Sequence, residues 1–572
     1  MGPKPWGPMV GRRAAGGIAR KAPLAGPGRR RAPRAYTPPV FIGDPAVSAQ
    51  PAASTDFLGH PKGLYVCFLT EMWERFAFYG MKALLLLYLV KHHLFAQADG
   101  TILLGTYAGL AYALPLLGGL LADKYLGMRK AVIFGGVLLV LGQLGMAWTG
   151  DAASGTTPAN AVRDGVAIQV MYFSLALIGV GVGFLKPNIS TIVGRLYSDD
   201  DPRRDSGFTI FYMGINVGAF LSSLIVAWIG EKIGWGYGFA LAGVMMALGL
   251  VQFVIGQKHL LGHAEPADPA KLRAPVLAGL SRELLIYLGG LVLTVAVWQM
   301  LQTRIDFGPL TALLGGHQAT LTEVVAVLMG AVLYVWFVWL MFSGLSRAEK
   351  GRMVMLMVLI TVSALFWGLY EQTYGPWVLM ADIGMDRTTF GYEWTAGQTT
   401  AVGALFVILF SVPFAWLWPR LDRKGLNPSY PAKFAWGLVF CGLSFGILAY
   451  AAANPGEGGK TTLWWMILAY AVLVMGEMVL SPVGLSAVTR LSIPRAVGLM
   501  MGAWFLFSAF GEIIAGRLGT WAAVEPRADG SYDVAAALNL YAGVFTDMMW
   551  IGLAAGALLF LATPLLKRLT RE

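Results

Sequence analysis

About fourteen apolar runs, each long enough to cross a roughly 30 Å hydrocarbon core, follow one another along this chain. They fall near 63–91, 101–122, 129–149, 167–195, 207–230, 235–257, 282–301, 320–343, 352–375, 397–418, 432–453, 461–489, 496–520 and 540–566. Hydrocarbon offers no water to an unpaired backbone N–H or C=O, so runs of this length are expected to be helices. The predicted fold class is an all-α polytopic membrane protein. Composition agrees: of 572 residues, 56% are hydrophobic and 13% charged, where a soluble domain has about a quarter charged. Cys67 and Cys441 lie in apolar runs and read as small hydrophobes, so no disulfide framework is implied.

The net charge of +11 is a topology signal. With the N-terminus inside, Lys and Arg gather in the loops on the cytoplasmic side, as the positive-inside rule requires. Both termini are then cytoplasmic, and the expected location is the cell inner (plasma) membrane, as a multi-pass protein. No nucleic-acid partner is needed to explain the basic excess; membrane lipid is.

Residues 1–56 are rich in Pro, Gly, Ala and Arg and predict a disordered basic cytoplasmic tail. Six spans occupy 57–257, and a polar, Pro-containing stretch at 258–281 reads as a cytoplasmic linker. Two spans within 282–343 lack internal charge apart from Glu323 and read as peripheral, lipid-facing helices. Six more spans fill 344–572. Two six-helix halves suggest a pseudo-symmetric carrier with its site between them at the midplane. In GGLLADKYLGMRK, residues 118–130, Asp123, Lys124, Arg129 and Lys130 are expected to form a charged cytoplasmic latch, and the run resembles the signature loop of the major facilitator superfamily (MFS).

The chemistry sits inside the helices. In the first run Glu71, Glu74, Arg75, Tyr79 and Lys82 fall within about 140° of one another at 100° per residue, a single polar stripe. Each embedded charge costs roughly 2.5–3.5 kcal/mol on insertion scales, so the stripe needs partners and a wet cavity. A structural ion pair would explain one Glu and one Arg, not five groups. Further along, Lys186 precedes Pro187 in GFLKPNIS, where a helix break is expected to free carbonyls. Tyr212 and Asn216, Trp367 and Glu371, Glu477 and Ser481, and Trp504 and Ser508 are each spaced i, i+4 on one face. Three embedded cations (Arg75, Lys82, Lys186) against four carboxylates (Glu71, Glu74, Glu371, Glu477) leave one surplus negative charge. That surplus favours a carboxyl that gains and loses a proton. Glu512 reads as structural, paired with Arg517.

The run EMWERFAFYG at 71–80 resembles the signature of the proton-coupled oligopeptide transporter (POT) family within the MFS. GFLKPN, RRDSGFTIFYMGINVGAF and GEMVLSPVGLS resemble its other signatures in matching order, over about 57–566. The resemblance implies the MFS fold of two six-helix bundles, with two extra helices between them as in bacterial members. It implies a proton-driven symporter, functional as a monomer, that imports di- and tripeptides by alternating access, with protons as the coupling ion and no cofactor or metal. Position by position, Arg75 and Lys186 would bind the peptide carboxylate beside Tyr112, and Glu477 and Asn216 the peptide amine. Tyr79, Tyr212, Trp367, Ser481, Trp504 and Ser508 would line the pocket. Lys82–Glu371 and Lys186–Glu477 would be gating salt bridges, and Glu71 and Glu74 would carry the proton with Arg75, Lys186 and Glu371. Three positions depart from the pattern: Phe78 stands for a Tyr, Lys82 for an Arg, and Ala404-Leu405 for Asn-Pro.

A same-fold carrier for nitrate or another organic anion is one alternative, though nitrate has no amine to use Glu477 and Asn216. A peptide sensor that does not transport is another. An enzyme is disfavoured: the six His show no metal-ligand spacing at a common depth, and no nucleophile–base arrangement stands out.

Overall fold

A computed structural model describes residues 56–569, apart from Asp199 and Gly315; the basic tail lies outside them, save Asp56 in a short strand pair. In chain order the helices are α1 (Lys62–Lys91), α2 (Gln97–Ala113), α3 (Pro115–Leu121), α4 (Met128–Ala147), α5 (Gly165–Arg195), α6 (Arg204–Lys232), α7 (Trp235–Gly256), α8 (Pro269–Arg273) and α9 (Arg282–Gln302). They continue with α10 (Leu321–Met341), α11 (Arg347–Tyr370), α12 (Pro376–Gly384), α13 (Ala401–Arg423), α14 (Tyr430–Ala453), α15 (Leu463–Leu491), α16 (Val497–Gly519) and α17 (Val534–Leu569). Among the described residues 13 helical stretches are apolar and long enough to cross a membrane. The 30-residue α1 is as long and is set apart only by its own charges.

Successive spans reverse direction, so the start of α1 and the end of α17 share one face, the terminal face; the opposite one is the far face. In the first bundle α1 packs on α6 and α7, and α4 on α5 and α7. In the second, α14 packs on α15 and α17, and α11 on α16. The bundles meet where α2 lies against α16 and α6 against α13. Glycine sets the first contact: a Cβ on Gly105 would lie 2.5 Å from the Glu512 carbonyl oxygen and 2.7 Å from Gly516 Cα. Only small residues let two backbones approach that closely. α9 packs on α5 and α10 on α16, leaving Val292, Val327, Val332, Val335 and Trp339 exposed, as hydrocarbon rather than water would allow.

Several elements differ from their expected form. The second span bends at Leu114, where Pro115 opens α3, and ends in a π turn over Ala122–Leu126. The run at 352–375 is α11 followed by a 3-10 turn, Glu371–Tyr374, before α12. The break expected at Pro187 does not occur: α5 runs through it. Asn188 Nδ2 donates to the Phe184 carbonyl at 2.7 Å, and Ser190 and Thr191 hydroxyls donate to the Pro187 carbonyl at 3.1 and 2.8 Å. These bonds reach carbonyls on either side of the break in hydrogen bonding; the carbonyl that loses its helical donor to proline is that of Gly183, four residues back.

The linker is ordered, and it and the helix ends around it carry the partners of the loop at 118–130. Arg129 forks onto Glu265 at 2.5 and 3.0 Å and donates to Gln257 at 3.0 Å. Lys130 pairs with Glu283 at 2.5 Å and Asp123 with Arg195 at 3.9 Å. Gly127, at φ +78, lies where a Cβ would meet the backbone of Pro266 at 2.5 Å. The Arg129 guanidinium holds the Glu265 carboxyl below the usual carboxylate range, against the opposing pull of partial burial.

Candidate functional site

The stripe of α1 lies in the interior, its charges set among buried Met72, Phe76, Ala77, Phe78 and Met81, and the helix runs on through the buried stretch from Ala83 to Leu89. Glu74 grips Arg75: Nη2 donates to Oε1 at 2.6 Å, and Nε contacts Oε2. Glu71 is held more loosely, with Oε1 3.3 Å from Arg75 Nε and a buried Oε2 that has no hydrogen-bond partner. The guanidinium also lies 5.0 Å from the Phe78 ring centre and 5.8 Å from that of Tyr79, a cation–π arrangement.

Two turns on, Lys82 reaches across to the second bundle. Its Nζ donates to Glu371 Oε2 at 2.7 Å and to Glu512 Oε1 at 2.8 Å, and lies 4.7 Å from the Tyr374 ring centre. Glu512 is thus a member of the charged cluster, which corrects its expected pairing with Arg517. Arg517 instead forks onto Glu323 of α10 at 2.6 Å through both Nε and Nη2. Five residues, about 140° of rotation at 100° per residue, separate Glu512 from Arg517, so α16 turns the acid inward and the base toward the peripheral helix. Toward the far face, Lys91 pairs with Asp382 at 2.6 Å, and Glu231 of α6 accepts from the Gly397 N–H at 2.7 Å. The far side of the interface is closed.

Toward the terminal face the interface is looser. Tyr212 is 43% exposed although Glu477 of the other bundle lies within electrostatic range of it; the cleft between the bundles accounts for both. Tyr79 lies in the field of Arg75, Lys82, Glu371 and Glu477 together, and its ring stacks 6.2 Å from that of Tyr374. Arg75 and Lys82 of the first bundle and Glu371 and Glu477 of the second therefore flank one tyrosine.

The expected Lys186–Glu477 salt bridge is not formed. Lys186 Nζ sits 4.2 Å from the Tyr112 ring centre, and Glu477 Oε2 accepts from the Tyr370 hydroxyl at 2.7 Å. With the cleft open toward the terminal face, each charge finds a partner within its own bundle. The remaining pocket residues surround these groups. Trp367 packs edge-on to Tyr370 at 5.3 Å, with a buried indole N–H that has no hydrogen-bond partner. Asn216 donates to the Tyr212 carbonyl at 3.1 Å and Ser508 to that of Trp504 at 3.1 Å, while Ser481 is half-buried one turn beyond Glu477. Trp504 lies flat enough on α15 that a Cβ on Gly484 would overlap its ring.

Glu512, Tyr370 and Tyr374 are absent from the set expected from sequence. A signal for the first was available: Trp504, Ser508 and Glu512 continue one i, i+4 series along a single face of α16.

The sequence profile of the POT family matches residues 129–533. The chain belongs to the POT family. It is 33% identical over 519 residues, 90% of its length and 95% of the relative's, to Uncharacterized transporter YclF of Bacillus subtilis. It is 30% identical over 524 residues, 91% of its length and 96% of the relative's, to Dipeptide and tripeptide permease A of Cronobacter turicensis. Among solved structures, the crystal structure of a mutant of peptide transporter POT in complex with alafosfalin is 32% identical, with a TM-score of 0.73 over 91% of this chain and 98% of that one. The MFS expectation for the fold therefore holds, and as a POT family member the chain is a transporter and not an enzyme.

Proposed function

We propose that this POT family protein is a symporter that carries di- and tripeptides with protons by alternating access, as a monomer in the inner membrane with both termini cytoplasmic. The observation that carries the reading is the separation of charge between bundles: Arg75 on one side and Glu477 on the other both lie within range of Tyr79, and Lys186 shares the Glu71 neighbourhood with Arg75. A zwitterion fits between such poles, and the aromatic surface of Tyr112, Tyr212, Trp367 and Trp504 suits variable side chains. The name of the Cronobacter relative points to the same substrate class.

In this reading Arg75 and Lys186 take the peptide carboxylate, and Glu477, with Asn216, takes the amine in place of the Tyr370 hydroxyl. Glu371 accompanies Lys82 in gating, and the Lys186–Glu477 pair forms when the cleft closes around substrate. Glu74, gripped by Arg75, positions the guanidinium, whereas Glu71, with one free oxygen, is the better proton carrier of the two. The nitrate alternative leaves Glu477 without a partner on the substrate.

Labelled di-alanine should accumulate in proteoliposomes when the interior is made negative or the exterior acid. Accumulation that survives an ionophore collapsing both gradients would refute proton coupling, and absence of di-alanine counterflow would refute the substrate.

A further inference from the structure

A single ion pair across the interface needs one acid, yet Lys82 is given two. Both carboxylates belong to the second bundle, Glu371 on the turn after α11 and Glu512 on α16, and both donor–acceptor distances are those of full hydrogen bonds, 2.7 and 2.8 Å. Lys82 is 1% and Glu512 3% exposed. Ionised together, the three groups carry one surplus negative charge in a place without bulk water, and such a charge is expensive unless compensated. The other groups facing Glu512 are Lys186 of α5, Tyr107 and Tyr112 of α2, and Tyr374 beside Glu371. Of these only Lys186 is cationic, and it is engaged with Tyr112. A cavity of about 10 Å³, the size of one water, touches Lys82, Glu371 and Glu512.

We propose that Glu512 makes the Lys82 latch a proton-carrying site, in which Glu371 and Glu512 share one transported proton in addition to the proton handled by the acids of α1. The inference rests on the symport reading above. When the far face closes, water on that side gives up a proton and an O–H bond forms on one of the two carboxylates. The other carboxylate keeps its ion pair with Lys82, which stays protonated throughout, so the latch closes as a neutral cluster. The proton leaves to water in the cleft on the terminal side, regenerating the carboxylate. The two acids titrate as one unit, so the proton belongs to the pair rather than to either residue.

The test is the membrane voltage that exactly balances a set di-alanine gradient in proteoliposomes at equal pH on both sides. A tenfold peptide ratio is balanced by about 59 mV when one proton moves with a neutral peptide and by about 30 mV when two do. The parent protein is expected to balance at about 30 mV and Glu512→Gln at about 59 mV. A parent value near 59 mV, or a Glu512→Gln value equal to the parent's, overturns the inference while leaving symport intact. A parent with no voltage dependence refutes the symport reading itself. Should Glu512→Gln not transport, the parent's balance voltage still decides, and the infrared carbonyl band of protonated carboxyl in the purified variant, unchanged from the parent's, would also overturn it.

Discussion

Replacing Lys82 by Met removes the cation that holds the far face shut and keeps most of its bulk. Lys82 is 1% exposed and is the shared donor to Glu371 and Glu512, so its loss strands two buried carboxylates. Removing one partner of a buried pair costs about 3–5 kcal/mol. Lys91–Asp382, whose lysine is 38% exposed, contributes about 0–1 kcal/mol at such exposure, too little to compensate. At about 1.4 kcal/mol per tenfold, the balance should move by roughly 10²-fold to several thousand-fold toward states open at the far face. Spin labels on cysteines introduced at Asp151 and Glu457, exposed positions in far-face loops of the two bundles, would report it by their distance distribution. The native thiols Cys67 and Cys441 are buried and leave labelling to the introduced ones. Lys82→Met should add a longer-distance population, larger at alkaline pH, where both acids are ionised and repel. A distribution identical to the parent's at both acidic and alkaline pH would refute the view that this cluster holds the face closed.

Glu477→Ala should nearly abolish peptide binding, and N-acetylated peptides should compete poorly with di-alanine for the parent; equal competition would refute the amine assignment. Arg75→Gln should impair counterflow and gradient-driven uptake together, whereas Glu71→Gln should affect gradient-driven uptake more, which paired assays on each variant separate. Gly484→Ala should push the Trp504 ring out of place and weaken peptide binding several-fold in competition assays, with little change in thermal stability. On the terminal face, the depressed Glu265 carboxyl contributes stability above its unfolded value, about pH 4.3, that fades as pH falls through its lower folded value. Both side chains of the Arg129–Glu265 pair are partly exposed, so solvent screening limits this to a few tenths of a kcal/mol; Arg129→Gln should flatten that acid-side loss of Tm.

Much of this molecule is legible in the chain because a bilayer leaves few choices. A long apolar run in hydrocarbon must be a helix, which is why α4, α6, α7 and α14 lie close to their expected bounds. An embedded charge must face something polar, which singles out Arg75, Lys82, Lys186, Glu371 and Glu477 by type and position alone. What sequence spacing does not contain is the identity of a partner on another helix. Lys82 and Glu512 stand 430 positions apart, and only the close packing of α2 on α16 at Gly105 and Gly516 brings that face of α16 against α1. The same holds for Glu323, the one charge expected inside its pair of spans, which clamps Arg517, and for Pro187, through which the helix continues. Glu477 likewise takes the Tyr370 hydroxyl of its own bundle rather than Lys186 of the other. Local periodicity decides which residues are polar and inward, whereas helix-to-helix packing and the open or closed state of the interface decide which of them meet.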